Sequence, residues 1–152
     1  MTLGKALGGG VAIGALAGTN RVMKSFVPGT HAATFGGNPL ACSAALATLK
    51  VLTGKNFLAK AQKTGSYFLE QLKKIARENP VVKEARGTGM FLALELKKPG
   101  SNIVLDCMKQ GFLINCIQQN ILRFIPPLII SRKEIDSLIP VLTDSLDKLN
   151  LK

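Results

Sequence analysis

The chain has 152 residues, 47% of them hydrophobic and 19% charged, with 15 Gly and 7 Pro; this is a globular composition with enough apolar material for a core, and it excludes a disordered or low-complexity chain. Twenty Lys and Arg against nine Asp and Glu leave a formal charge of +11. Aromatic residues are only 5% and the basic residues are scattered, so neither a stacking platform nor a basic tail for nucleic acid is expected.

Met1 to Ala17 imitates a secretory leader, with one lysine, an apolar stretch and Ala15-Leu16-Ala17 in the place of a cleavage site. Gly8, Gly9, Gly10 and Gly14 argue against a helical leader, since each costs about 1 kcal/mol relative to Ala. No long unbroken apolar run follows, and no membrane span is expected. Residues 1 to 37 predict glycine-rich loops around a short buried segment, Val11 to Leu16, with a turn at Pro28-Gly29. Asn38 as N-cap and Pro39 in the first turn then open a helix through Leu52, closed by Thr53-Gly54.

Phe57, Ala61, Phe68, Leu72 and Ile75 follow helical spacing up to the stop at Asn79-Pro80, with Gly65 weakening the middle. Val81 to Arg86 and Met90 to Leu96 predict strands around Gly87-Thr88-Gly89, the second alternating through Leu92, Leu94 and Leu96. A short helix over Ser101 to Gln110 precedes strands at Phe112 to Cys116 and Ile121 to Ile125. Ser131 and Glu134 form a capping box for a last helix, whose apolar stripe is Ile135, Leu138, Ile139, Leu142, Leu146 and Leu149. This order predicts a compact α+β unit with helices on one face of a small sheet.

Cys42, Cys107 and Cys116 have apolar neighbours and no metal-ligand spacing, and His31 is the single histidine. Buried thiols in a reducing cytoplasm are expected, with no zinc site and no disulfide framework. Neither common nucleotide motif is present. Gly54-Lys55 is followed by Asn56 rather than Ser or Thr, and Gly8 and Gly10 lack a third glycine at Ile13.

Three segments could carry chemistry. In Thr2-Leu3-Gly4-Lys5-Ala6-Leu7-Gly8-Gly9-Gly10, apolar and flexible residues enclose Lys5, a setting that suits an amine kept neutral to attack a carbonyl; a surface lysine on a loop is the alternative. His31-Ala32-Ala33-Thr34-Phe35-Gly36-Gly37-Asn38-Pro39 places a hydroxyl and backbone amides before a helix, as an anion site would, or as an ordinary capped loop. In Ile121-Leu122-Arg123-Phe124-Ile125-Pro126-Pro127-Leu128, Arg123 interrupts an apolar strand. It is either an exposed edge-strand arginine or a buried guanidinium awaiting a carboxylate.

In this order the three segments, with Arg86-Gly87-Thr88-Gly89-Met90, resemble the class III aminotransferases, enzymes of the fold-type I pyridoxal-phosphate group, over essentially the whole chain. Gly111-Phe112-Leu113-Ile114-Asn115 and Arg123-Phe124-Ile125-Pro126-Pro127 are most similar to the acetylornithine branch. The resemblance implies an α/β fold of the pyridoxal-phosphate-dependent transferase type. Residues 1–53 would be the end of a large cofactor-binding domain with an interdomain helix, and residues 54–152 a small C-terminal α+β domain.

It further implies pyridoxal 5'-phosphate as cofactor, bound as a Schiff base on Lys5, which also moves the proton at the substrate carbon. Thr34 would bind the cofactor phosphate across a homodimer interface, and Arg123 the substrate carboxylate; Arg86, Gly87 and Gly89 would be structural. The implied reaction is transfer of the terminal amine of N-acetylornithine to 2-oxoglutarate, in arginine biosynthesis in the cytoplasm. Ornithine, 4-aminobutyrate and succinyl-diaminopimelate transaminases share the motifs, while Phe35-Gly36-Gly37 argues against the related mutases. Family members carry the glycine-rich phosphate loop, the stacking aromatic ring and the pyridinium-facing aspartate upstream of the lysine. A chain starting at Met1 is therefore expected to resemble a fragment, inactive alone, with residues 1 to about 50 packing poorly. A non-catalytic binding domain is the competing expectation.

Overall fold

The computed structural model describes residues 1–151. The chain divides into two compact units, Met1–Leu58 and Ala59–Lys152.

The first unit opens with a two-residue antiparallel ladder between β1 (Thr2–Leu3) and β2 (Ala15–Leu16), which encloses a 3-10 turn over Lys5–Gly8. A short helix α1 (Asn20–Met23) and irregular chain lead to α2 (Pro39–Leu52). Asn38 starts α2 as its sequence predicts. Its Oδ1 accepts the amide hydrogen of Ala41 at 2.9 Å, satisfying a first-turn donor, and Pro39 sits where no amide is needed. The apolar side chains that this unit buries are Leu7, Ala41 and Ala45. The expected buried segment Val11 to Leu16 is instead half-buried to exposed, and Leu16 is 46% exposed. Apolar character buries a strand only when a second layer lies on it, and a two-residue ladder provides none.

The second unit is the α+β arrangement that the element order predicts. Strands β3 (Val82–Thr88), β4 (Phe91–Leu96), β5 (Asn115–Ile117) and β6 (Ile121–Phe124) form an antiparallel sheet in the order β3-β4-β6-β5. Helices α3 (Phe57–Glu78), α4 (Ser101–Lys109) and α5 (Arg132–Asn150) supply the other half of the core. Phe68, Leu72 and Ile75 from α3, Ile103 and Cys107 from α4, and Ile135, Leu138, Leu142 and Leu146 from α5 are buried with Leu92, Leu94, Leu96, Leu122 and Phe124 of the sheet. The Phe68 and Phe124 rings meet edge to face at 5.4 Å between centroids.

Two helix ends are set by polar side chains. Asn79, 6% exposed, donates to Asp147 at 2.9 Å and accepts from the Val81 amide at 3.1 Å, so a buried amide is satisfied on both sides. The capping box of α5 forms as predicted, with Ser131 and Glu134 each bonding the other's backbone. The helix runs on through Pro140, which lacks the N–H for an intrahelical bond.

Strand β5 begins at Asn115, three residues later than the apolar pattern Phe112 to Cys116 predicts. The amide of Phe112 donates to the carbonyl of Cys107 at 2.9 Å, so the chain is still closing α4 there and is not free to enter a ladder.

Gly65 does not interrupt α3, because it is the gap through which another loop passes. A Cβ built there would stand 2.1 Å from the carbonyl oxygen of Gly89, in the β3–β4 turn. Gly65→Ala should therefore separate α3 from that turn and destabilise the protein by about 1–3 kcal/mol, despite alanine's better helix propensity. Thermal denaturation followed by circular dichroism at 222 nm measures it; an unchanged or raised midpoint would contradict the close approach.

Candidate active site

The alternation of β4 decides which face of the sheet is available for chemistry. Leu92, Leu94 and Leu96 point into the core, so Phe91, Ala93 and Glu95 point away from it. The antiparallel registers Arg86↔Ala93, Ala93↔Arg123 and Asn115↔Arg123 then put Arg86, Ala93, Arg123 and Asn115 in one row across the open face. The next row is Glu84, Glu95, Ile121 and Ile117.

An open cavity of about 330 Å³ lies over these rows, lined by both arginines with Gly87, Phe91, Leu92, Ala93, Ile117, Gln118 and Ile121. Gly87 lets the strands come together here: a Cβ at its φ of 148° would stand 2.3 Å from the Phe91 carbonyl oxygen. Arg86, Gly87 and Gly89 thus occupy the strand and turn that their motif predicts.

The two arginines are differently held. Arg86 is ion-paired with Glu84 and with Glu95, the latter at 2.5 Å, and Glu95 also takes Lys83 at 2.6 Å. Arg123 has no acidic partner among the described residues; its Nε donates to Asn115 Oδ1 at 3.1 Å. It is partly buried and lies on β6, an inner strand, which removes the edge-strand alternative. Strand order is a long-range property, and the local sequence of residues 121–125 does not contain it. Asn115 lies in the Gly111 to Asn115 motif, but its pairing with Arg123, eight residues away on the neighbouring strand, is not legible in that local sequence.

In the first unit Lys5 is exposed and has a left-handed backbone, with φ of 55°. A non-glycine residue in this region carries strain of about 1 kcal/mol, a cost found chiefly at turns and functional sites. Its amine makes no hydrogen bond or ion pair among the described residues. Thr34 is also exposed, and its hydroxyl has no partner among the described residues. It lines an open cleft of about 670 Å³ with His31, residues 12–16 and 33–38, and Ala41. This cleft lies at the N-terminus of α2, where helix polarity favours an anion. Lys5 is not among its lining residues. His31 is exposed and meets the Phe26 ring edge-on at 6.0 Å.

The Cys107 thiol, fully buried against the sheet, is pushed up to about 11, chiefly by burial and then by the nearby Asp106 charge. It is a packing residue rather than a nucleophile. No helix among the described residues is long and apolar enough to cross a membrane.

Glu95 is the electrostatic centre of the open face. Its carboxyl is held below the ordinary glutamate range, first by the hydrogen bond from Lys83 and then by that from Arg86. A depressed folded-state value adds stability above the ordinary glutamate range, and that stability is lost as pH falls through the folded value. Glu95→Gln should accordingly lose less thermal stability than the unsubstituted protein between about pH 5 and about pH 3. Parallel acid-side slopes of midpoint against pH would remove Glu95 from this role.

Residues 1–146 match the family model described as Aminotransferase class-III. Acetylornithine aminotransferase of Caldanaerobacter subterraneus subsp. tengcongensis is 45% identical over 150 residues, covering 98% of this chain and 38% of that protein. Ornithine aminotransferase of Staphylococcus carnosus is 44% identical over 135 residues, covering 88% of this chain and 34% of that protein. Among solved structures, the ornithine aminotransferase of Toxoplasma gondii ME49 superposes with a TM-score of 0.87 at 34% identity, over 98% of this chain and 37% of that one. The acetylornithine aminotransferase of Elizabethkingia anophelis does so with 0.86 at 30% identity, over 97% and 40%. The chain thus spans a little over a third of the length of the curated relatives it matches. With its fold, its motifs and these relatives in agreement, the chain belongs to the class III aminotransferases.

Proposed function

We propose that this chain forms the C-terminal part of an aminotransferase that moves the terminal amino group of N-acetylornithine to 2-oxoglutarate, with pyridoxal 5'-phosphate as its cofactor. The observation that carries this reading is Arg123: a partly buried guanidinium in a largely apolar cavity, with no acidic partner among the described residues. Such a group lacks a carboxylate, and both the amino donor and the 2-oxo-acid acceptor bring one.

The residues of the first unit fit the cofactor by their chemistry. Lys5 offers an unpaired amine suited to an aldehyde, and Thr34 an unpaired hydroxyl at a helix N-terminus suited to a phosphate. Lys5 would hold the cofactor through its amine, leave it when substrate arrives, and carry the proton to and from the substrate carbon. Thr34 would donate its hydroxyl hydrogen to a phosphate oxygen. Arg123 would fix the substrate carboxylate and so the orientation of the reacting carbon. When bound, the cofactor supplies the electron sink for that carbon.

Because Lys5 does not line the cleft of Thr34, we assign the two to different active sites of a homodimer. Phe35 at 82% and Leu40 at 73% exposure, beside Thr34, support a covered surface there. In this reading residues 1–53 belong with a large cofactor-binding domain and residues 54–152 form the small domain of a cytoplasmic enzyme of arginine biosynthesis. Ornithine as amino donor is the second reading, supported by the ornithine aminotransferases among the relatives at comparable identity.

The test is a chimera that joins the upstream portion of the Caldanaerobacter acetylornithine aminotransferase to this chain. We expect glutamate formation from 2-oxoglutarate with N-acetylornithine, faster than with ornithine or 4-aminobutyrate. Lys5→Ala should abolish turnover, and Arg123→Ala should lower kcat/KM at least about 100-fold, as loss of a charged bidentate contact would. A folded chimera that binds pyridoxal phosphate yet transaminates none of these donors would refute the proposal.

A further inference from the structure

Arg123 Nε donates to Asn115 Oδ1 at 3.1 Å, and the two residues are register partners on adjacent antiparallel strands. A guanidinium can grip a carboxylate side-on, through Nε and one Nη, or end-on, through its two Nη groups. Nε carries a single hydrogen, so an acceptor already on it closes the side-on mode. From this geometry we infer that Asn115 is the positioning residue of Arg123: it fixes the plane of the guanidinium and presents the Nη pair, so that a substrate carboxylate binds end-on. The inference rests on the reading of Arg123 as the carboxylate site.

The chemistry of the partner matters as much as its place. Arginine only donates, so Asn115 must turn its oxygen toward Nε. A neutral amide orients the guanidinium without cancelling its charge. The other arginine of the row shows the contrast, since Arg86 is held by the carboxylates of Glu84 and Glu95. One cation of the open face is neutralised in place, and the other is oriented and left charged.

The strand that carries Asn115 is itself pinned. The turn between β5 and β6 holds Gln118 and Gln119 at φ of 49° and 67°. Three hydrogen bonds of 2.8 Å secure it: the Gly100 amide to Gln119 O, the Leu96 amide to Asn120 O, and Asn120 Nδ2 to Leu96 O. A strained turn persists where its surroundings over-determine it, and here they set the register that brings Asn115 opposite Arg123. Asn115 is exposed on the edge strand and outside the core, so its replacement spares the fold.

The experiment uses the 15N-labelled chain, with the Arg123 Nε–Hε signal assigned by its absence in Arg123→Lys. In Asn115→Ala we expect Hε to exchange with solvent about fivefold faster, the effect of one lost hydrogen bond, with the backbone amide spectrum otherwise retained. Asn115→Asp should keep the slow exchange but lose the response to 2-oxoglutarate, its own carboxylate having neutralised the guanidinium. In the unsubstituted chain, 2-oxoglutarate should shift the Nη signals of Arg123 and leave Nε–Hε nearly unmoved. Equal exchange in Asn115→Ala and the parent overturns the inference, as does a 2-oxoglutarate response centred on Nε–Hε. Slow exchange that depends on Asn115, with no response of Arg123 to 2-oxoglutarate, upholds the positioning and refutes instead the carboxylate reading beneath it.

Discussion

The pleat of one strand governs this structure. Leu92, Leu94 and Leu96 are each 1% exposed or less, and a strand that buries three leucines on one side must turn Ala93 and Glu95 to the other. Through the ladder to β6 the same parity buries Leu122 and Phe124 and turns Arg123 outward. A slip of one residue would drive the guanidinium into the aliphatic layer formed by α3, α4 and α5, at the cost of desolvating a charge with no partner. Packing energy and the placement of the chemistry are therefore one constraint, and the cheapest way to satisfy the core is also the arrangement that presents Arg123.

Scarcity of acid shapes what the open face can do. With nine acidic residues against twenty basic ones, most cations have no anion to meet. Glu95 takes two of them, Lys83 and Arg86, at a side-chain exposure of 14%. A carboxylate beside Arg123 would pair with its guanidinium, as Glu84 and Glu95 do with that of Arg86. The position opposite Arg123 holds an amide instead, which fixes direction without supplying charge. With Lys83 and Arg86 themselves 60% and 43% exposed, these pairs add only modestly to stability. Their effect here is to decide which guanidinium remains available.

The helices were legible because their information is local. The stripes of α3 and α5, the Asn38 cap and the Ser131 box each lie within a few residues of what they control. The leucine alternation of β4 was legible for the same reason. What the sequence hid depends on distant neighbours. Strand order made Arg123 an inner-strand residue; the closure of α4 onto Phe112 delayed β5; and the approach of the Gly89 carbonyl explains Gly65, which local propensity counts only as a weakness. The left-handed backbone at Lys5 was likewise invisible, since nothing in Gly4-Lys5-Ala6 announces a positive φ.

The two units hold the proposed site residues in opposite settings. Arg123 stands on a sheet whose other face is a closed core, so its position is determined within Ala59–Lys152. Lys5 and Thr34 stand in a unit that buries Leu7, Ala41 and Ala45 and leaves Phe35, Leu40 and Leu46 more than 60% exposed. The role proposed for Lys5 calls for a water-excluding surrounding, and an exposed loop does not provide one. In the proposed reading, a layer that covers the loop of Lys5 would also set the reactivity of that lysine.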